Sequence, residues 1–144
     1  MRTSPEFATE KLTVVSWPDE TVDGPVHDAL APYVENYWLG VLGPSATWML
    51  RRVATQLAAS PAGFVMDLAE TAQCLGVGGT GKNSPFIRAL GRLVQFEMAR
   101  VLDDGSLAVR REVPTLSRRH LLRLPASVQA RHEFWIKQQL ALKA

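Results

Sequence analysis

Asp67-Leu68-Ala69-Glu70-Thr71-Ala72-Gln73-Cys74-Leu75-Gly76 and, a short loop later, Ser84-Pro85-Phe86-Ile87-Arg88-Ala89-Leu90-Gly91-Arg92-Leu93-Val94-Gln95 carry two helix starts and a helix stop. The Asp67 carboxylate can accept from first-turn backbone N–H groups, while Glu70, three residues on, can reach back to the cap. Leu68, Ala69, Ala72 and Leu75 supply a buried stripe, on whose side Cys74 is expected as a small hydrophobe, and Gly76 can take the left-handed conformation that closes a helix. Ser84 and Pro85 repeat the start as a cap followed by proline at the first helical position. Phe86, Ile87, Leu90, Leu93 and Val94 then share one face at 100° per residue, and Arg88, Arg92 and Gln95 fall opposite. Two tandem helices are expected, over 67–75 and 84–99.

Upstream, Ala46, Met49, Leu50, Val53 and Leu57 recur at three- and four-residue steps and predict a helix over 45–59, started by Pro44 and ended by Ser60-Pro61-Ala62-Gly63. Phe64-Val65-Met66 is long enough for one minor strand. An aromatic helix is expected over 32–42, a weakly patterned extended stretch over 11–17, and between them a turn-rich acidic linker containing Pro18, Gly24 and Pro25. Downstream, two extended runs, 99–102 and 107–113, flank Asp103-Asp104-Gly105-Ser106, a strong hairpin signal. Ser117 can cap a short basic helix ending before Pro125, and a last helix covers 126–142.

From 45 to 113 the order is therefore helix, strand, helix, helix, strand, turn, strand. On these residues the chain resembles the winged helix-turn-helix superfamily of bacterial DNA-binding proteins over about half its length. The resemblance implies an α+β fold, mainly α with a small β-hairpin: residues 1–43 an N-terminal extension, 44–116 a winged-helix domain, 117–144 added basic and amphipathic helices. It also implies that helix 84–99 enters a major groove, with Lys82, Asn83, Arg88, Arg92 and Gln95 toward bases and phosphates. Arg110 and Arg111 on the wing would add phosphate contacts, one of the two turning inward because strand neighbours alternate sides, and Arg118 and Arg119 would extend the surface. One departure is visible: the turn between the tandem helices runs from Gly76 to Asn83 instead of three or four residues. Tyr33-Val34-Glu35-Asn36-Tyr37-Trp38, Leu42-Gly43-Pro44-Ser45 and Asn83-Ser84-Pro85-Phe86 also look like a small uncharacterised family of high-GC Gram-positive bacteria, a likeness that implies no activity.

Charge distribution agrees with a polyanion partner. The net charge is only +2, yet residues 1–75 carry four basic side chains against nine acidic ones and residues 76–144 carry twelve against five. Such segregation creates a field over one part of the surface. With 47% hydrophobic and 21% charged residues the composition is that of a globular chain. The single cysteine, Cys74, leaves no intrachain disulfide and no cysteine-based zinc site. No apolar run is long enough for a bilayer, and Met1-Arg2-Thr3-Ser4-Pro5-Glu6 leads into no signal-like segment, so the cytoplasm is the expected compartment and no membrane partner is expected.

Near-motifs for enzymatic chemistry fail on context. Gly76-Val77-Gly78-Gly79-Thr80-Gly81-Lys82-Asn83 approaches the P-loop pattern but follows a helix, and Asn83 replaces the magnesium-binding hydroxyl. His27, His120 and His132 lack metal spacing and read as surface imidazoles, while Asp103-Asp104 reads as turn chemistry. No catalytic residue, metal or cofactor is assigned. Trp48 falls off its helix's apolar stripe and is expected to lie either under residues 1–42 or, with Phe134 and Trp135, at a subunit interface. The expected function is that of a DNA-binding transcriptional regulator with double-stranded DNA as partner. Alternatives are a protein–protein interaction module on the same scaffold and an RNA- or ribosome-associated protein. Monomer and homodimer both remain open.

Overall fold

The computed structural model describes residues 10–17, 24–79 and 81–143 and has the expected α+β architecture. Residues 18–23 of the acidic linker lie outside the described residues. A four-stranded sheet has the order β3-β1-β5-β4, and β2 with β6 forms a separate two-stranded ladder.

Strand β1 (Lys11–Ser16) is the tertiary surprise. Its residues alternate, with Leu12 and Val14 buried and Lys11 and Thr13 exposed, the period-two pattern of a strand with one covered face. It pairs antiparallel with β3 (Phe64–Asp67), Leu12 opposite Met66, and parallel with β5 (Leu107–Val109), Val14 opposite Leu107. β1 thus separates β3 from the hairpin that β5 makes with β4 (Ala99–Val101). Gly63 permits this insertion: its φ is +109°, and a Cβ there would lie 2.7 Å from the Val14 carbonyl oxygen, so only glycine fits without moving backbone.

Helix α2 (Pro44–Ala59) buries the predicted stripe of Ala46, Met49, Leu50, Val53 and Leu57 and packs against α4. Before it, a π-helical segment (Val34–Trp38) continues into α1 (Leu39–Leu42) and inserts Tyr33, Val34, Tyr37 and Trp38 into the same core. Helix α3 (Leu68–Leu75) starts at Asp67, whose carboxylate accepts from the Glu70 N–H at 3.0 Å, and ends at Gly76 with φ +69°. Helix α4 (Pro85–Gln95) starts at Ser84, whose hydroxyl accepts from the Ile87 N–H at 3.3 Å.

Two boundaries differ from the periodicity. The fourth helix was expected to reach residue 99, but it stops at Gln95 because Glu97 adopts φ +60°. The Met98 N–H then bonds the Leu93 carbonyl at 2.8 Å and the Glu97 N–H bonds that of Val94 at 3.1 Å. This is the double bond of a Schellman stop, built on a residue with a Cβ where glycine is usual. Likewise the run 107–113 was expected as one strand. It breaks after Val109, and β6 (Glu112–Pro114) leaves the main sheet to pair with β2 (Val26–Asp28), His27 opposite Val113. The chain then forms α5 (Arg118–Leu121), capped by Ser117, and α6 (Ala126–Lys143).

Cys74 is exposed and not on the buried side of α3, since the helix buries only Leu68, Thr71 and Ala72. The histidines also depart from expectation. His132 is buried, His27 stacks on Tyr33 with ring centroids 3.8 Å apart, and His120 lies between Trp38 and Phe96. They are packing groups: Tyr33 of the aromatic segment gathers His27 and His132, and α5 sets His120 against Trp38 and Phe96.

Candidate functional site

The outer face of α4 forms as the periodicity predicts. Arg88, Arg92 and Gln95 are exposed while Phe86, Ile87, Leu90, Leu93 and Val94 are buried. Arg92 is steadied in two ways. Its Nη2 donates to the Val41 carbonyl at 3.3 Å, and its guanidinium carbon lies 5.6 Å from the Phe96 ring centroid. The Arg123 guanidinium approaches the same ring at 5.8 Å. Phe96 is thus an aromatic platform shared by two cations, one from α4 and one from just beyond α5, an arrangement stabilised by the ring's negative face.

Gln95, Phe96, Glu97, Arg119, His120 and Arg123 line a groove of about 370 Å³. His120 sits within it, its ring 5.4 Å from that of Phe96. Burial holds its pKa below the usual histidine value, and the neighbouring Arg119 and Arg123 add to the effect. A neutral imidazole between guanidinium groups keeps the groove's charge on arginine, which does not titrate in the physiological range. None of Arg88, Arg92, Arg118, Arg119 and Arg123 forms an ion pair with a described residue; the exposed pair Lys137–Glu133 lies elsewhere, on α6.

The wing residues divide. Arg111 is exposed, but Arg110 is buried: its Nε donates to the Glu97 carbonyl at 2.7 Å and its guanidinium lies 4.0 Å from the Trp17 ring centroid. Arg110 is therefore corrected from phosphate clamp to a tie between the Glu97 stop, β5 and β1. Arg100 is drawn toward Trp17 too, at 5.0 Å. The hairpin tip carries exposed Asp103 and Asp104, and hydrogen bonds from the Ser106 hydroxyl and N–H hold the Asp104 carboxyl below its ordinary pKa. A doubly anionic tip repels phosphate, so the cationic surface runs from α4 to α5 and not along the hairpin.

Lys82 and Asn83 are exposed in the loop before α4, and Arg118 and Arg119 are exposed on α5. Trp48 is 58% exposed, and of the residues expected to cover it, 1–9 and 18–23 lie outside the described residues. Phe134 is 63% exposed, whereas Trp135 is half-buried inside the protein's own aromatic cluster, 4.9 Å from Tyr33. Sequence reasoning missed Arg123 and Phe96. The i, i+4 spacing of Arg119 and Arg123 was a usable signal, but nothing local announces that Phe96 would be the ring beneath Arg92 and Arg123.

Among the described residues no helix is long and apolar enough to cross a membrane, and no three His, Cys, Asp or Glu side chains gather as a metal site. Compared with protein-family models, curated proteins and solved structures, the chain matches none.

Proposed function

We propose that the chain is a nucleic-acid-binding protein on a winged-helix-type scaffold expanded by the inserted strand β1, and that double-stranded DNA is its partner. The observation that carries this reading is the arginine cluster between α4 and α5, where Arg92 and Arg123 share the Phe96 ring and Arg119 lines the groove beside it together with one acidic residue, Glu97. The element order α2, β3, α3, α4, β4, β5 supports the scaffold. Arg88, at the N-terminal half of α4, is the side chain best placed for a base edge, since arginine pairs bidentately with guanine. Arg92, Arg119 and Arg123 act as phosphate contacts, because a guanidinium fork matches two phosphate oxygens.

This assignment differs from a wing-centred docking in one respect. With Arg110 buried and the hairpin tip anionic, the second contact region is α5 and the residues after it. A transcriptional role follows for a protein of this kind with sequence preference, and selection from a random duplex pool measures that preference. The direct test is fluorescence anisotropy of a labelled duplex at about 50 mM salt, where a protein contacting several phosphates binds well. Wild type should bind and the R92Q/R119Q/R123Q variant should lose most of its affinity. Absence of binding by folded wild-type protein, or equal binding by the variant, overturns the proposal; preferential binding of structured RNA replaces the partner.

A further inference from the structure

A second groove, of about 810 Å³, sharing no lining residue with the one above, runs along the outward side of α2 toward the end of α3. Its volume falls in the range of about 300–1,000 Å³ usual for small-molecule sites. Trp48, Arg51, Arg52 and Gln56 of α2 face Cys74 and Val77 across it, and among the described residues no aspartate or glutamate lines it. The indole of Trp48 is the main exposed apolar surface of that wall, and the Arg51 guanidinium lies 5.5 Å from its centroid.

Nη1 of Arg51 and Oε1 of Gln56 are closed to solvent behind this wall and have no hydrogen-bond partner among the described residues. Arg51 is also held in place, since its Nη2 donates to the Leu30 carbonyl at 3.0 Å. A guanidinium held in place, a second arginine next to it and an open aromatic face together define a ligand by chemistry. It has an anionic oxygen for Arg51 and Arg52 and a flat ring for Trp48.

We propose that this groove binds a small anionic aromatic molecule, an aryl carboxylate or a nucleobase phosphate, stacked on Trp48 with its anionic group on Arg51 and Arg52. The site is independent of the α4–α5 surface, so either assignment can fail without the other.

The chain's single cysteine provides the assay, because Cys74 is exposed and lines the groove. Indole-3-acetate and adenosine 5′-monophosphate are titrated into the full chain by calorimetry, and the rate of Cys74 alkylation is followed at each concentration. At least one probe should bind saturably below about 1 mM and slow alkylation several-fold. Its neutral counterpart, indole-3-acetamide or adenosine, should bind at least about tenfold more weakly, the loss of a charge-assisted pair. W48A and R51Q/R52Q should abolish the effect, and R92Q/R119Q/R123Q should retain it. Which probe binds identifies the source of the anion. The proposal is overturned if neither binds, or if the neutral counterparts bind wild type equally well, a comparison that needs no variant to fold.

Discussion

Removing one hydroxyl, Tyr33→Phe, should destabilise the protein by at least about 2 kcal/mol, because that oxygen joins three segments. Tyr33 is buried; its hydroxyl accepts from the Leu116 N–H at 2.9 Å and lies 2.7 Å from His132 Nε2. The phenol and the His132 ring nitrogen form one hydrogen bond, its direction set by the imidazole tautomer. Burial pushes the Tyr33 pKa up to about 12, so it keeps its proton, and burial pushes the His132 pKa down. Phenylalanine fills the same volume but strands a buried N–H and a buried ring nitrogen, each costing about 1–3 kcal/mol. That total is a large share of a stability of about 5–15 kcal/mol.

The same contact sets a pH dependence with a definite sign. His132 and His120 both have folded-state pKa values below that of an exposed histidine, so at acid pH the unfolded chain binds protons that the folded chain does not. The stabilisation is complete above about pH 6.5 and is lost as pH falls toward the folded values, by at most about 1.4 kcal/mol per pH unit for each histidine. Urea unfolding of wild type and Y33F from pH 5 to 8 measures both effects. A Y33F stability within about 0.5 kcal/mol of wild type, below the net worth of a typical hydrogen bond, would refute the reasoning, as would wild-type stability that rises on acidification through pH 6.

Three further outcomes follow from the structure. For the R92Q/R119Q/R123Q variant, the slope of log K against log salt should be less negative than wild type by about 2.7, three phosphate contacts at about 0.9 each, as read by anisotropy. Glu97→Gly should raise stability by about 1 kcal/mol in urea, because glycine adopts the φ of +60° at no steric cost and the Glu97 carbonyl that receives Arg110 is retained. Gly63→Ala should cost about 1–3 kcal/mol by thermal unfolding, since φ +109° and a Cβ 2.7 Å from the Val14 oxygen allow no relaxed alanine.

The helices and the main hairpin were legible in the sequence because their signals are local. Asp67, Ser84 and Ser117 cap where they were expected to, Gly76 closes α3, and the buried faces of α2 and α4 follow from spacing alone. Hydrogen-bonded turns and amphipathic stripes act over a few residues, so a few residues suffice to read them. The exposure of Arg88, Arg92 and Gln95 came from the same arithmetic, whereas the turning inward of one of Arg110 and Arg111 did not, because the strand whose alternation was expected to set it ends at Val109. Which of the two turns inward depended on Trp17, distant in the chain.

Only the folded chain decided that β1 lies between β3 and β5, that β6 leaves the hairpin for β2, and that α5 brings Arg119 and Arg123 beside Phe96. Strand partners are set by long-range hydrogen bonding and by which faces meet in the core, and neither has a signature in the strands themselves. The Tyr33–His132 contact joins residues 99 positions apart, so a histidine that looks solvated in the sequence becomes an internal hydrogen-bond partner. Both grooves are likewise properties of assembly: their chemistry belongs to side chains that become neighbours only once the helices pack.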